Sequence, residues 1–234
     1  MGSILKMAIK ILYVTSTFAE ARVLEKLNGF TFHNNLFRSG NIELNLLVTG
    51  VGSMATAWAI KKWLSENANP DLAINAGIAG SYRDNIPIGS VVMPVSDCFA
   101  DSGIEDRDNF ITLSEAGLTG ADDFPYQNGI LHSHNEYVER MNSHLKAVDA
   151  ITVNAATGSA VTIEKLIRKF NPAVETMEGA TFFYICMVES IPFLAVRAIS
   201  NRVEPRNRNN WNITLALDNL AVKLNEIILT LGGE

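Results

Sequence analysis

At 234 residues, with 47% hydrophobic and 19% charged side chains, the chain is long enough for one large domain or two small ones with a sizeable core. A formal net charge of −6 argues against a nucleic-acid partner, whose phosphates demand a basic face, and no apolar run reaches the roughly 18 residues of a membrane span. Cys98 and Cys186 cannot make a disulfide framework; both lie in apolar stretches and read as buried, reduced thiols, which points to the cytoplasm.

Residues 1–8 read as a disordered leader or a vector-derived remnant, and 9–234 as a single domain. Lys10 interrupts any signal-peptide core, and Lys6 breaks the myristoylation pattern. Ile9 to Val14 is a continuous apolar run, expected to be a buried strand; it ends in Thr15-Ser16-Thr17, and a helix starts near Phe18 with Glu20 in its first turn. Phe30 to Phe37 is mixed and suggests an edge hairpin. Ile42 to Val48 is a second buried strand, closed by Gly50-Val51-Gly52-Ser53, and Met54 to Ser65 is the helix after it. Pro70-Asp71 turns the chain into a strand from Leu72 to Ala76, with Gly77-Ile78-Ala79-Gly80-Ser81 read as its terminating turn. A fourth strand is expected from Ser90 to Val95.

Residues 96–128, rich in Asp, Gly and Asn, read as a long functional loop with short elements. Strands are expected at Ile130–Ser133 and Ile151–Ala155. Helical spacing of Tyr137, Met141, Leu145 and Val148 predicts a helix over Glu136–Val148, and another covers Ser159–Phe170. The stretch 174–201 reads as strand, helix, strand: a βαβ unit, hence two parallel strands, with Glu178 and Asn201 at their carboxyl edges, where ligands bind in open parallel sheets. A polar loop with Arg202, Arg206 and Arg208 precedes a last helix from about Trp211 to Leu231. The whole is one α/β domain with a mixed, largely buried sheet.

Each chemistry-bearing feature has a plainer role beside it. Glycines at three strand ends let backbone approach a phosphate, ribose or base, but are also ordinary turn residues. Neither a dinucleotide fingerprint nor a P-loop is complete. Glu20 and Glu178 can each complement a helix dipole. His132 and His134 share one side of a short strand and lack a third ligand, so no metal is expected. Trp211 can be a core anchor and the loop arginines a solvated surface.

Taken together, the strand followed by Glu20, GVG at 50–52, NAGIAG at 75–80, GSVV at 89–92, VETMEGA at 174–180 and VRAISN at 196–201 resemble the purine nucleoside phosphorylase and nucleosidase superfamily over about residues 9–231. Within it, RAISNRVEPRNRNNW at 197–211 is most similar to the futalosine hydrolases of menaquinone biosynthesis, then to the methylthioadenosine/adenosylhomocysteine nucleosidases. The resemblance implies a three-layer α/β/α domain around a mixed, largely parallel sheet. It also implies hydrolysis of a 6-oxopurine nucleoside without cofactor, in a homodimer whose partner's 96–128 loop closes the site. The alternatives are an adenosine-type nucleosidase or a purine nucleoside phosphorylase.

The resemblance places Met177 and Glu178 on the ribose hydroxyls and Glu20 on the attacking water. Asn201, after Ser200, contacts N7 of the purine, and Trp211 covers the 5′ end. Val51, beside Gly52, and Val161 line the base and tail pockets, and Arg202 or a neighbouring arginine reaches the tail. Two departures count against adenosine substrates: Asn201 stands where the adenosine nucleosidases have Asp, and Ile78 where they have Ser. The chemistry needs such groups in any case. Breaking an N-glycosidic bond builds positive charge on the sugar and negative charge on the base. One carboxylate can hold the hydroxyls and stabilise the cation, and another can accept a proton from water.

Overall fold

The computed structural model describes residues 8–232; most of the expected leader therefore lies outside the described residues. The first strand, β1 (Ile9–Thr15), sends Ile11 and Tyr13 to one face and Leu12 and Val14 to the other, and all four are at most 1% exposed. A strand that is apolar on both sides needs cover on both sides. On one face the larger core packs β1, β5 (Leu72–Ser81) and β12 (Phe193–Arg202) against α3 (Glu136–Met141) and α6 (Ile213–Gly232). On the other, Leu12, Val14, Ala73 and Ala195 meet Ile60 of α2 (Ser53–Glu66) and the apolar side chains of α5 (Gly179–Val188). The result is the expected mixed sheet with helices on both faces.

The remaining strands of the main sheet are β2 (Thr31–His33), β3 (Leu36–Ser39), β4 (Ile42–Val48), β6 (Val91–Asp97), β9 (Leu131–His132), β10 (Lys146–Thr152) and β11 (Val174–Thr176). The ten-stranded sheet has the order β11-β10-β6-β12-β5-β1-β4-β3-β2, with β9 on β6. β11 also pairs with the end of β5, so five strands close on themselves as a distorted barrel. The long pairings are parallel, β12 with β5 above all. The edge hairpin β2–β3 turns on Asn34 and Asn35 at φ 45° and 63°, the left-handed pair that a two-residue hairpin needs. The segment 96–128 carries a small hairpin, β7 (Gly103–Asp106) with β8 (Asn109–Thr112).

Three expectations are corrected. β11 and β12 are not a parallel pair: β5 runs parallel to β12 and antiparallel to β11. Apolar runs show that both strands are buried but not which neighbours they take, and β5 and β6 fill the places beside β12. The helix expected over Glu136–Val148 stops at Met141, and β10 starts at Lys146. Val148 and Ala150 alternate inward against β6, so the sheet slot overrides a helical spacing that holds only to Leu145. Finally, GIAGS is not a turn but the second half of β5, paired with β12 up to Arg202; there, glycine leaves room for neighbouring side chains rather than reversing the chain.

Candidate active site

Glu20 is held by its own helix start. Thr17 caps α1 (Phe18–Ala21), and Glu20 completes a capping box, donating its N–H to Thr17 Oγ1 and accepting from Thr17 N at 2.9 Å. The plainer role as a helix-end residue is thus real, but it occupies only one oxygen. Oε2 also accepts from the Thr17 hydroxyl at 2.8 Å and the Thr15 hydroxyl at 3.3 Å. Among the described residues Oε1 accepts a single bond, from Ile78 N at 3.0 Å, and keeps a lone pair. Gly77 makes the approach possible: a Cβ there would lie 2.5 Å from Glu20 Oε1. Ile78 therefore meets the site through its backbone.

Glu178 is the residue before α5, 8% exposed. Its Oε1 accepts from Gly52 N at 2.8 Å. Gly52 sits at φ 93°, a left-handed conformation that frees its N–H to point across to Glu178 from the start of α2. Burial pushes the Glu178 carboxyl up from its ordinary value; the Gly52 amide and Arg197 pull it down, and Glu20 pushes it up again.

Arg197, 2% exposed, lies beneath the pair. Its Nη1 donates to the carbonyls of Asn75 at 2.7 Å and Val196 at 3.0 Å, and Nη2 donates to Asn75 Oδ1. Burial lowers its pKa, while Glu178, Glu20 and Asp97 favour its charge. It answers the charge of the carboxylates while its donors serve Asn75 and the backbone.

Asn201 lies where β12 bulges against β5, opposite Gly80. Its Oδ1 accepts from the Ser200 hydroxyl at 2.8 Å and its Nδ2 donates to the Arg202 carbonyl at 2.9 Å. One lone pair and one N–H remain for a ligand. Ser200 itself is buried on Ala79. Trp211 does not open the last helix: it follows a short 3-10 turn, Arg208–Asn210, and α6 begins at Ile213. It is half-buried, with the Arg206 guanidinium 5.8 Å from its ring centre. Arg202 is taken by Asp84 at 2.7 Å.

Glu20 is thus bonded to Ile78, Gly52 to Glu178 and Ser200 to Asn201; Ile78, Ser200 and Asn201 share the paired strands β5 and β12, and Glu20 and Glu178 act on each other through their charges. Val51 and Val161 are not part of this set; they stand 54% and 64% exposed. Met177 is partly buried, without a polar tie to the carboxylates. The sequence reading passed over Asn75, Asp97 and Thr152. Their signal was polarity inside otherwise apolar strands. Cys98 is half-buried rather than buried, and Cys186 is buried; both are free thiols. A cavity of about 680 Å³ lies under the 96–130 segment against Asp149, Lys169 and Phe170, and none of the expected site residues lines it.

The phosphorylase superfamily model matches residues 9–231. The chain is 31% identical over 227 residues to futalosine hydrolase from Acidothermus cellulolyticus, covering 92% of this chain and 88% of that protein. It is 30% identical over 183 residues to futalosine hydrolase from Streptomyces coelicolor, covering 74% and 73% respectively. The fold is also that of Helicobacter pylori futalosine hydrolase, with a TM-score of 0.74 at 16% identity, covering 94% of this chain and 97% of that one. For Helicobacter pylori 5′-methylthioadenosine/S-adenosyl homocysteine nucleosidase the TM-score is 0.77 at 15% identity, covering 95% and 99%. With a family model spanning nearly its whole length and relatives of this identity and coverage, the chain belongs to the phosphorylase superfamily and, within it, to the futalosine hydrolase family.

Proposed function

We propose that the protein hydrolyses the N-glycosidic bond of futalosine, releasing hypoxanthine and dehypoxanthine futalosine for menaquinone biosynthesis. The observation that carries the hydrolytic reading is a pair of buried carboxylates over a single buried arginine whose guanidinium is already bonded to Asn75 and Val196. Phosphorolysis needs free cations for an attacking phosphate, and among the described residues the carboxylates have only this occupied one beside them. Water is the nucleophile. It sits on the open lone pair of Glu20 Oε1, which takes its proton. Glu178 and the Met177 backbone turn hold the ribose 2′ and 3′ hydroxyls, and the Glu178 charge stabilises the oxocarbenium-like sugar.

On the base side, the Asn201 amide accepts from N7–H and donates to O6 of the departing hypoxanthine. Asn has no titratable proton, so the proton on N7 arrives from elsewhere. On the tail side, Trp211 stacks on the aromatic ring of the 5′ substituent and Arg206, already over the Trp211 ring, pairs its carboxylate. Arg202, engaged by Asp84, is the weaker candidate. Val51 and Val161 line the outer base and tail pockets.

The working form is a cytoplasmic homodimer. Met54 of α2, 87% exposed, lies beside Tyr184 and Val188 of α5 across an apolar groove to which Phe99 also contributes, and Trp58 of the same helix is 73% exposed. So broad an exposed apolar face at the edge of a site suits a second copy. Sedimentation velocity gives the mass directly: a dimer is expected, and a monomer at working concentration sinks this part.

The activity test is to incubate the protein with futalosine, inosine and methylthioadenosine, each with and without phosphate, and to measure free base. Phosphate-independent release of hypoxanthine from futalosine, well above release from the other two, is expected. Phosphate-dependent release would mean a phosphorylase, and preference for methylthioadenosine would mean an adenosine-type nucleosidase.

A further inference from the structure

Asp97, the last residue of β6, is 1% exposed and has no ion-pair partner among the described residues. Its Oδ1 accepts from the Thr152 hydroxyl at 3.0 Å, and its Oδ2 is buried with no hydrogen bond among the described residues. That free oxygen is pressed against the start of α5: a Cβ on Gly179 would lie 2.1 Å from it. The Thr152 oxygen in turn accepts from Ala180 N at 2.7 Å. The Thr176 hydroxyl, 3.3 Å from that of Thr152, accepts from Gly179 N at 3.1 Å. The first amides of a helix lack partners within it. Here the first two of α5 are taken by a pair of threonine hydroxyls, and one of these ends on Asp97. The residue immediately before them is Glu178.

We propose that Asp97 is a positioning residue for Glu178: through Thr152 and Gly179 it sets the first turn of α5, and its negative charge, when present, strengthens the hold of the site on a cationic sugar. This rests on the assignment of Glu178 to the ribose. Three charged or titratable groups act on the Asp97 carboxyl. Glu178 repels it, Arg197 of β12 attracts it, and Cys98 adjoins it with a thiol that burial and Asp97 together push up to about 12. His132 of β9 and Asp149 of β10 register with Ser96, one residue earlier and so on the other face of β6. Burial raises the Asp97 carboxyl to about 7, against the pull of Thr152, Arg197 and the Cys98 amide. Its charge therefore appears as pH rises through neutrality, and turnover rises with it.

The test measures kcat and KM for wild type and Asp97→Asn from about pH 5.5 to about pH 8.5. Asn keeps the acceptor for Thr152 and removes the charge. The variant should match wild type within about 3-fold at the acid end and fall about 10-fold below it in kcat at the alkaline end, with KM nearly unchanged; that is the order one charge exerts on another across roughly 10 Å of protein. A ratio constant across the range overturns the proposal, because a purely structural aspartate would lower activity evenly. If Asp97→Asn does not fold, Thr152 carries the test. Thr152→Val should cost about 10-fold in kcat and Thr152→Ser should restore it to within about 3-fold; a fully active Thr152→Val overturns the relay. Glu178→Gln is run alongside. If it turns over normally, the assignment of the site has failed. If it loses about 100-fold while Asp97→Asn follows wild type at every pH, only the role of Asp97 has.

Discussion

Gly77→Ala tests the position of Glu20 with a single methyl group. Gly77 is not in the left-handed region, and it lies inside β5, so alanine meets no backbone strain there. The added Cβ would lie 2.5 Å from Glu20 Oε1 and 3.2 Å from its Cδ. Carbon and oxygen in close contact stand about 3.3 Å apart, so the carboxylate must retreat by roughly 0.8 Å. It cannot swing freely, because Oε2 is anchored to Thr15 and Thr17. The bond that gives way is the one from Ile78 N, and Oε1 is the oxygen assigned to the water. Losing one hydrogen bond costs about 1 kcal/mol of stability, a small change in melting. Misplacing a catalytic group by about 1 Å costs on the order of 100-fold in rate. The assay is initial-rate hypoxanthine release across futalosine concentrations, with a thermal melt of the same preparation. A fall of about 100-fold in kcat with little change in KM is expected. A variant within about 3-fold of wild type, or one in which only KM rises, would refute Glu20 as the group that activates water.

Asn201→Asp should lower activity on futalosine and narrow the gap to the 6-amino analogue, since one mispaired buried polar group costs roughly 1–3 kcal/mol, or about 5- to 150-fold in selectivity; wild type cleaving both equally would remove the reading of Asn201. Trp211→Ala and Arg206→Ala should each raise KM for futalosine by about 10-fold while leaving inosine unaffected, and an equal effect on both substrates would dissolve the tail pocket. Asp97 also has a signature in stability. Its carboxyl titrates at about 7 when folded against 3.8 ordinarily, so the folded state keeps a proton that the unfolded chain gives up. That contribution is complete below about pH 4 and is lost as pH rises through about 7, on the order of 2–4 kcal/mol. Urea midpoints should fall between about pH 5 and about pH 8 in wild type and much less in Asp97→Asn; identical slopes would count against it.

By itself the sequence determined the buried strand β1 and the first halves of β5 and β12, because a segment covered on both faces is apolar; β4 was legible as a strand, but only its Ile42 and Leu44 are buried. It also carried the family, through short motifs at strand ends, and with them the two carboxylates. Tertiary structure decided what depends on partners distant in the chain. Whether Leu145–Val148 continues a helix or enters a strand turned on the vacancy beside β6, not on local spacing. Whether GIAGS turns or extends turned on Arg197 to Arg202 of β12 lying alongside. The direction of β11 relative to β12 followed from the ring that β5 closes. Glu20 and Glu178 were legible as polar residues at strand-to-helix junctions. Their distant partners Ile78 N and Gly52 N, the buried Arg197 beneath them and the link from Asp97 to α5 were not, since each is a meeting of atoms that only the folded sheet brings within reach.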